Sequence, residues 1–236
     1  MKRYILMVAL VFSSLFGDEV YATFSVEARH DASLAFIAGG IVDRVYVDIG
    51  SVVKKGDILA TLKNDDIKAM LNLSKTALKY AKKDYNRQLK IKNLIDEARF
   101  DGVSYKYENA KNQLSYQKAL YDKTFLKAPF DGVIYEKNIE VGDGVSGMML
   151  KTVFKIQSKK ERKLLLEFDQ KYNTLVKVGD SFRYTINGKK KEHTGIISKI
   201  YPHANTKNRK IKAEVEARGF ITGLFGDGYI LTQTKR

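Results

Sequence analysis

Residues 40–62 read GIVDRVYVDIGSVVKKGDILATL, and residues 126–145 read LKAPFDGVIYEKNIEVGDGV. The two stretches share six positions at identical offsets: Gly40, Val42, Val47, Ile49, Gly50 and Val53 in the first, and Gly132, Ile134, Ile139, Val141, Gly142 and Val145 in the second. Each stretch alternates apolar with polar residues and is interrupted by glycines, as short strands and tight turns are. The repeat predicts two halves of one small β domain, with structural turn glycines at Gly40, Gly50, Gly56, Gly132 and Gly142.

The segment between the two halves has a helical period. Residues of one series recur with spacings that alternate between four and three: Ile67, Leu71, Ser74, Leu78, Ala81, Tyr85, Gln88, Lys92 and Ile95. A second series repeats this spacing: Val103, Tyr107, Ala110, Leu114, Gln117, Tyr121 and Thr124. Two such seams joined by a short turn predict an antiparallel helical hairpin. We place the turn at Asp101-Gly102 and expect a first helix of about 30 residues, or roughly 45 Å.

Beyond residue 158 the pattern returns to the two-residue period of strands. Residues 211–217 alternate apolar and charged side chains without interruption, and Asn187-Gly188 is a strong signal for the turn of a β-hairpin. Five or six short strands separated by glycine turns predict a small antiparallel β-barrel.

The composition is strongly basic. The chain has 42 basic and 27 acidic residues, which gives a formal charge of +15. Such a charge favours acidic partners, including nucleic acid, anionic lipid headgroups or an acidic protein surface. The lysines are spread along the chain rather than clustered, a pattern that is typical of solvated faces. A basic protein that binds an envelope polymer is therefore one functional hypothesis.

The N-terminus has the pattern of a secretory signal. Two basic residues precede an uncharged apolar stretch at residues 4–16, which is shorter than the about 20 residues that span a bilayer. Cleavage after Gly17 or Ala22 fits the small-residue rule, and we take residues 1–22 as the signal peptide, with an uncleaved anchor as the alternative. The chain has no cysteine, which excludes disulfides and cysteine-ligated metals. These features predict a periplasmic protein of a Gram-negative bacterium.

The two half-motifs resemble those of a known family. Residues 40–62, with the turn Val-Lys-Lys-Gly-Asp, resemble the first lipoyl-like half of periplasmic adaptor subunits, also called membrane fusion proteins. Residues 126–134, followed by Val141-Gly142-Asp143, are similar to the most specific signature of this family. Residues 223–230 resemble the glycine-bearing last strand of its β-barrel domain. The resemblance covers nearly the whole mature chain.

The resemblance implies a mainly β fold that carries a long α-helical hairpin. This fold is a split lipoyl-like (biotinyl-like) domain with an inserted antiparallel coiled-coil hairpin, followed by a small antiparallel β-barrel. The lipoyl-like halves are expected at residues 36–63 and 127–157, the hairpin at 64–126, and the barrel at 23–35 and 158–236. Family members often continue into a membrane-proximal domain, which is expected to be absent or vestigial here.

The resemblance also implies a role that involves no catalysis. Members of the family bridge an inner-membrane transporter and an outer-membrane channel protein in a tripartite efflux system, which exports small toxic compounds. They assemble side by side, usually into a hexameric ring. The expected partners are such a transporter, with the proton-driven type favoured over the ATP-driven type, such a channel, and further copies of this chain, but no nucleic acid. An adaptor for type I secretion or ATP-driven export is the alternative.

One branch of the family, the resistance-nodulation-division branch, carries an Arg, a Leu and a Ser at set spacing near the hairpin tip. Ser104 fits the serine. Counting back at the usual spacing leads to Asn93 and Glu97, which depart from the pattern, whereas Arg87 and Leu94 fit if the tip contains an insertion. The candidate residues for docking to the channel are therefore Arg87, Leu94 and Ser104.

Other chemistries have little support in the residues. A lipoate or biotin carrier needs a lysine on a tight turn between the halves, where this chain has its helical insert. The three histidines lack the spacing of metal ligands. Met148-Met149 is expected to pack in a core, rather than to bind a soft metal ion. We see no catalytic triad or carboxylate pair, and expect no enzyme activity, no cofactor and no metal site.

Overall fold

The computed structural model describes residues 18–187 and 191–232. Most of the expected signal peptide, and Gly188 of the expected turn, lie outside the described residues. The strands are β1 (Glu19–Ala28), β2 (Asp31–Leu34), β3 (Gly40–Val45), β4 (Val52–Val53), β5 (Ile58–Leu62), β6 (Phe125–Lys127), β7 (Gly132–Lys137), β8 (Gly144–Val145), β9 (Phe154–Ser158), β10 (Glu161–Asp169), β11 (Ser181–Ile186), β12 (Glu192–Ala204), β13 (Lys210–Arg218) and β14 (Phe225–Leu231). The helices are α1 (Asp65–Leu89) and α2 (Glu97–Asp122). The chain divides into two compact units: residues up to Arg29 with those from Lys160 onward, and residues His30–Lys159.

The first unit is a closed antiparallel barrel of six strands, in the order β1-β10-β13-β12-β11-β14. In five of the six strands, all except β12, alternate residues are buried inside the barrel. The rings of Phe24, Phe182 and Tyr184 pack there with centroids 5.2 to 5.8 Å apart. A Cβ on Gly226 would lie 2.7 Å from the Phe24 ring, so this strand needs a glycine where the ring crosses it. The predicted antiparallel barrel is confirmed.

Both ends of the predicted first barrel segment are corrected. Residues 31–34 form β2, which pairs with β9 in the second unit, so the barrel segment ends at Arg29 and not at residue 35. At the other end, β1 begins at Glu19, and both Val20 and Ala22 are fully buried in the barrel. Residues 19–22, which the sequence places in the signal peptide, therefore form part of a core strand.

The second unit contains two four-stranded sheets, in the orders β2-β9-β7-β4 and β6-β5-β3-β8. Each sheet combines strands from both half-motifs: β4 pairs with β7, and β3 pairs with β8. Val42, Leu59, Ile134 and Phe154 are almost completely buried between them. Because the strands interleave, neither half has a complete core without the other, and the two halves form one split domain.

The turn of the helical hairpin lies earlier in the chain than the expected Asp101-Gly102. Residues 90–96 connect the helices through a short 3₁₀ turn at Lys92–Leu94, whereas Asp101-Gly102 lies inside α2. α1 has 25 residues, which corresponds to about 37 Å. The second helix, α2, ends at Asp122, and residues 125–127 form β6 of the sheet. The second lipoyl-like half therefore begins at residue 125 and not at residue 127.

Candidate functional site

The base of the hairpin rests on reciprocal backbone hydrogen bonds between the two half-motifs. Gly50 donates to the carbonyl of Ile134 at 2.8 Å, and Gly142 donates to the carbonyl of Val42 at 2.9 Å. In the repeat, Gly50 is equivalent to Gly142 and Ile134 is equivalent to Val42. Each half-motif therefore donates the same hydrogen bond to the other half-motif. The exposed residues that precede these glycines, Ile49 and Val141, are each 63% exposed. The sequence repeat is therefore also a repeat in three dimensions.

The turn glycines serve two different purposes. Gly50, Gly56 and Gly142 have φ angles of 87°, 91° and 94°, in the left-handed region that side chains with a Cβ disfavour. Gly132 is buried instead, and a Cβ there would lie 2.5 Å from the carbonyl oxygen of Gln157 on β9. At Gly40 a Cβ would meet Leu62 at 3.5 Å, an ordinary contact, so neither reason requires a glycine.

Polar contacts connect the two helices at the hairpin base. The amide of Asn64, just before α1, donates to the hydroxyl of Thr124 at 2.9 Å. That hydroxyl donates to the carbonyl of Tyr121 at 2.7 Å, and the Leu62 N–H donates to the carbonyl of Thr124 at 2.9 Å. Thr124 is 1% exposed. These bonds hold the start of α1 beside the end of α2 and orient the hairpin relative to the sheets.

Along the hairpin, the predicted seams face each other. Leu71, Ser74 and Gln117 are buried, and the other seam residues are at least partly buried, with the exception of Lys92. Towards the tip, the Tyr85 ring stacks on Tyr107 at 5.0 Å. This pattern is what facing heptad seams produce, so the antiparallel pairing of the helices follows the seams.

Phe100 is a hairpin core residue outside the two predicted seams. It is 9% exposed, its ring lies 5.7 Å from that of Tyr85, and the Lys92 ammonium lies 4.9 Å from its centroid. Its position seven residues before Tyr107 was the available signal, since it continues the second seam toward the N-terminus. The Asp101-Gly102 pair obscured that signal because it resembles a turn.

The hairpin tip is the candidate docking site, and the three candidate residues differ there. Leu94 lies in the 3₁₀ turn and is 84% exposed, an unusual environment for a leucine. Arg87 lies in the last turn of α1, where its guanidinium pairs with Asp84 at 2.7 Å. Ser104 lies in the second turn of α2, is partly buried, and donates to the Phe100 carbonyl at 2.8 Å. Of the three candidate residues, Leu94 is therefore the one that lies in the turn at the tip with an exposed side chain that makes no hydrogen bond or ion pair.

The described residues show little that could support metal chemistry. Among them, no group of three or more His, Asp or Glu side chains is placed to hold a metal ion. The His30 ring packs on Phe130 at 5.5 Å, and the His193 ring packs on Tyr184 at 5.5 Å. The expectation that Met148 and Met149 pack in a core is wrong, because they are 97% and 78% exposed on a loop.

No helix in the described part of the chain combines the length and apolarity needed to cross a bilayer. Burial alone raises the pKa of Tyr184 in the barrel core and lowers that of Arg162, whereas several other displaced pKa values belong to pairs of side chains at the surface. In one such pair, Tyr135 donates a hydrogen bond to Asp31. Burial of Tyr135 and this hydrogen bond raise the pKa of the Tyr135 hydroxyl to about 12. The geometry is that of a scaffold with an exposed tip.

The architecture of a sheet pair split by a helical hairpin and joined to a barrel defines a class, that of the membrane fusion proteins. A MacA–MexA chimera that contains the Pseudomonas aeruginosa MexA α-hairpin superposes with a TM-score of 0.83 at 19% identity, over 91% of this chain and 82% of that one. MacA from Actinobacillus actinomycetemcomitans gives 0.75 at 20% identity, over 92% and 79%. At such identities the likeness concerns the fold.

Sequence comparison gives the particular family. Residues 32–157 match the model of the CzcB-like barrel-sandwich hybrid domain, and the chain belongs to this family. The cobalt-zinc-cadmium resistance protein CzcB of Cupriavidus metallidurans is 31% identical over 124 residues, which is 45% of this chain and 24% of that protein. The chain thus spans about a quarter of the length of this curated relative.

Proposed function

We propose that this chain is a non-enzymatic periplasmic adaptor that bridges an inner-membrane transporter and an outer-membrane channel in a tripartite efflux system. The observation that carries this proposal is the hairpin itself, inserted between two interleaved half-motifs and exposing Leu94 at its end. A rigid base with an apolar residue at the tip of an antiparallel helix pair is suited to docking, since a buried apolar anchor contributes most of the energy of many interfaces.

The barrel supplies the end that would contact the transporter. Thr232 donates to the Asp18 carbonyl at 3.2 Å, so both ends of the described chain lie together. They lie at the barrel end opposite to Arg29 and Lys160, where the chain passes to the other unit. A leader before Asp18 would hold this end at the inner membrane until it is cleaved, and an uncleaved anchor would keep it there, beside the exposed turn at residues 205–209.

Copies of this chain would assemble side by side, with six copies in the pattern usual for the family. Their ring would form a conduit between the transporter and the channel. Outside its seam, α1 exposes Met70, Leu73 and Tyr80, which recur at heptad-like spacing and are 50 to 64% exposed. α2 exposes Tyr105 and Tyr116, which are 71% and 59% exposed. We assign these stripes to contact between neighbouring hairpins. Energy would come from the transporter, with proton coupling favoured over ATP.

The cargo is proposed as small toxic compounds. The curated relative is named for resistance to cobalt, zinc and cadmium. Growth of a deletion strain on a panel of these metal salts and of organic toxicants, with and without the plasmid-borne gene, would assign the cargo class.

Site-specific crosslinking in living cells tests the bridge directly. The chain has no native cysteine, so each introduced cysteine is its only thiol. Leu94→Cys probes the tip, and Ala69→Cys, exposed near the base of α1, is its matched control. Lys207→Cys probes the membrane-side end of the barrel, and Ile221→Cys, 74% exposed at the other end, is its control.

The bridge requires that Leu94→Cys captures an outer-membrane channel and that Lys207→Cys captures an inner-membrane transporter, each more strongly than its control. The transporter captured would decide between proton-driven efflux, ATP-driven export and type I secretion. If neither probe captures a membrane protein in cells that export the folded chain, the adaptor role fails. The hypothesis of an envelope polymer held by the +15 chain then becomes the leading one.

A further inference from the structure

The outer face of the barrel carries a groove of about 580 Å³. Its floor is formed by the small side chains of Thr23 and Ser25 on β1. Its walls are Tyr21, Leu165 and Phe225, of which Tyr21 and Phe225 are 51% and 62% exposed. The volume lies in the range of small-molecule sites, which combine apolar walls with a few polar groups.

Strand register places two carboxylates on either side of the floor. Thr23 pairs with Glu167 on β10 and with Asp227 on β14. Both carboxylates therefore stand in the same row of the barrel face, about 10 Å apart at the backbone because neighbouring strands lie about 4.8 Å apart. The short side chain of Thr23 leaves the space between them open.

The sign of the groove's charge is opposite to that of the chain. Its described lining includes Glu167 and Asp227 and no basic residue, in a protein of net charge +15. The Glu167 carboxylate forms ion pairs with the ammonium groups of Lys212 at 3.7 Å and Lys210 at 4.0 Å. Both lysines belong to β13, on the side of β10 away from the groove. Asp227 is therefore the principal carboxylate of the groove.

The aromatic wall is held in place beside this carboxylate. The Tyr21 ring meets the Tyr229 ring edge to face at 5.8 Å. Burial raises the pKa of Tyr21, and the charge of Asp227 and a hydrogen bond from the Tyr21 hydroxyl to its carboxylate raise it further. Tyr21 thus remains a neutral phenol, and its ring face stays available at the groove.

We propose that this groove binds a lipophilic organic cation, a small molecule with a quaternary ammonium or similar head and an aromatic or aliphatic body. Exposed tyrosine and phenylalanine rings attract such a head through their quadrupoles, and the adjacent carboxylate adds a Coulombic attraction. Leu165 and Phe225 cover the body. A metal ion is a poorer fit, because it needs several converging oxygen, nitrogen or sulfur ligands and the described residues hold no group of three or more His, Asp or Glu side chains placed to bind one.

Binding here is independent of the proposed bridging role, and it is measured on the purified, exported protein. The probe is benzyltrimethylammonium, titrated into ¹⁵N-labelled protein and followed by amide chemical shifts. Benzyl alcohol serves as the neutral aromatic probe, and n-butylammonium as a mimic of a protein lysine. Asp227→Asn and Tyr21→Ala are the test variants. Asp101→Asn and Tyr105→Ala, exposed on the hairpin, are the matched controls.

We expect saturable shifts at residues of β1 and β14, weakened about tenfold in both test variants and unchanged in both controls. Unchanged shift dispersion of the barrel amides would show that the variants fold. Absence of saturable shifts, or equal binding by Asp227→Asn, would overturn the site. Equal affinity for benzyl alcohol would make it an apolar groove only. Binding of n-butylammonium without binding of the aromatic cation would assign it to a basic side chain of a protein partner instead.

Discussion

Gly50 and Gly142 are equivalent residues of the two half-motifs, and each donates its backbone N–H to the half that does not contain it. Gly50 bonds to the carbonyl of Ile134 at 2.8 Å, and Gly142 to that of Val42 at 2.9 Å, with φ angles of 87° and 94°. The entire hairpin lies between them in the chain. The split domain therefore closes only when both ends of the hairpin come together, which couples hairpin pairing to the folding of its base.

Replacement of Gly142 by alanine is expected to destabilise the split domain by about 1–2 kcal/mol, because a Cβ is disfavoured at positive φ. No atom lies within 4 Å of the added Cβ, so the cost is conformational and not a clash. Urea unfolding followed by far-UV circular dichroism measures the change. Gly144→Ala, two residues away without a positive φ, should change stability by less than about 0.5 kcal/mol. Equal effects at the two positions would contradict this account.

Replacement of Gln88 by methionine is expected to stabilise the hairpin by about 1 kcal/mol. Within the described residues, the Gln88 side-chain oxygen is buried and has no hydrogen-bond partner, which carries a desolvation cost. Methionine has a similar size and helix propensity and no such cost. The midpoint of chemical unfolding of the helical signal reports the gain. Gln113→Met, at an exposed position of α2, is the control and should leave that midpoint unchanged.

The barrel is expected to lose stability at acid pH through Glu214. Burial alone would raise the pKa of this carboxyl, but hydrogen bonds from Tyr201 at 2.5 Å and Lys163 at 3.1 Å outweigh it and lower the pKa. A lowered pKa in the folded state contributes stability above the unfolded value of about 4.3, and this is lost as pH falls through the folded value.

Thermal unfolding of Glu214→Gln across pH 3 to 7 tests this contribution. The variant should melt at a lower temperature than the parent at neutral pH, with the difference shrinking below about pH 4. Glu216→Gln, which removes an exposed ion pair with Arg29, should have little effect at any pH. A difference between Glu214→Gln and the parent that persists undiminished at pH 3 would exclude the ionised carboxylate as its source.

Signal cleavage is expected before Glu19, after Gly17, rather than after Ala22. Val20 and Ala22 pair with Ile230 and Gly228 and are fully buried, so cleavage after Ala22 would remove two core residues and part of β1. N-terminal sequencing and intact mass of the periplasmic protein decide the point. A mature chain that begins at Thr23 would show that the barrel closes without the first part of this strand.

The seams and the repeat show how local patterns predicted the fold. Heptad spacing assigned most hairpin core positions because a helix places every third or fourth residue on one face. The Asp101-Gly102 pair was misread, since an exposed glycine is tolerated inside a helix at a cost of about 1 kcal/mol when the neighbouring helix packs against it. Local propensity therefore predicted the wrong position for the turn. In the structure Phe100 lies in α2 and packs against Tyr85, and the turn is at residues 90–96.

By itself, the sequence determined that two equivalent half-motifs flank a helical hairpin and that a small barrel follows, because periods of two and of about 3.5 residues are local properties of a chain. Tertiary structure alone decided that Leu94, rather than Arg87 or Ser104, presents its side chain at the tip, and that Glu19–Ala28 completes the barrel. It also decided that Asp227 and Tyr21 meet across one groove. Those relations depend on strand register between segments distant in the chain, which only pairing in the folded state establishes.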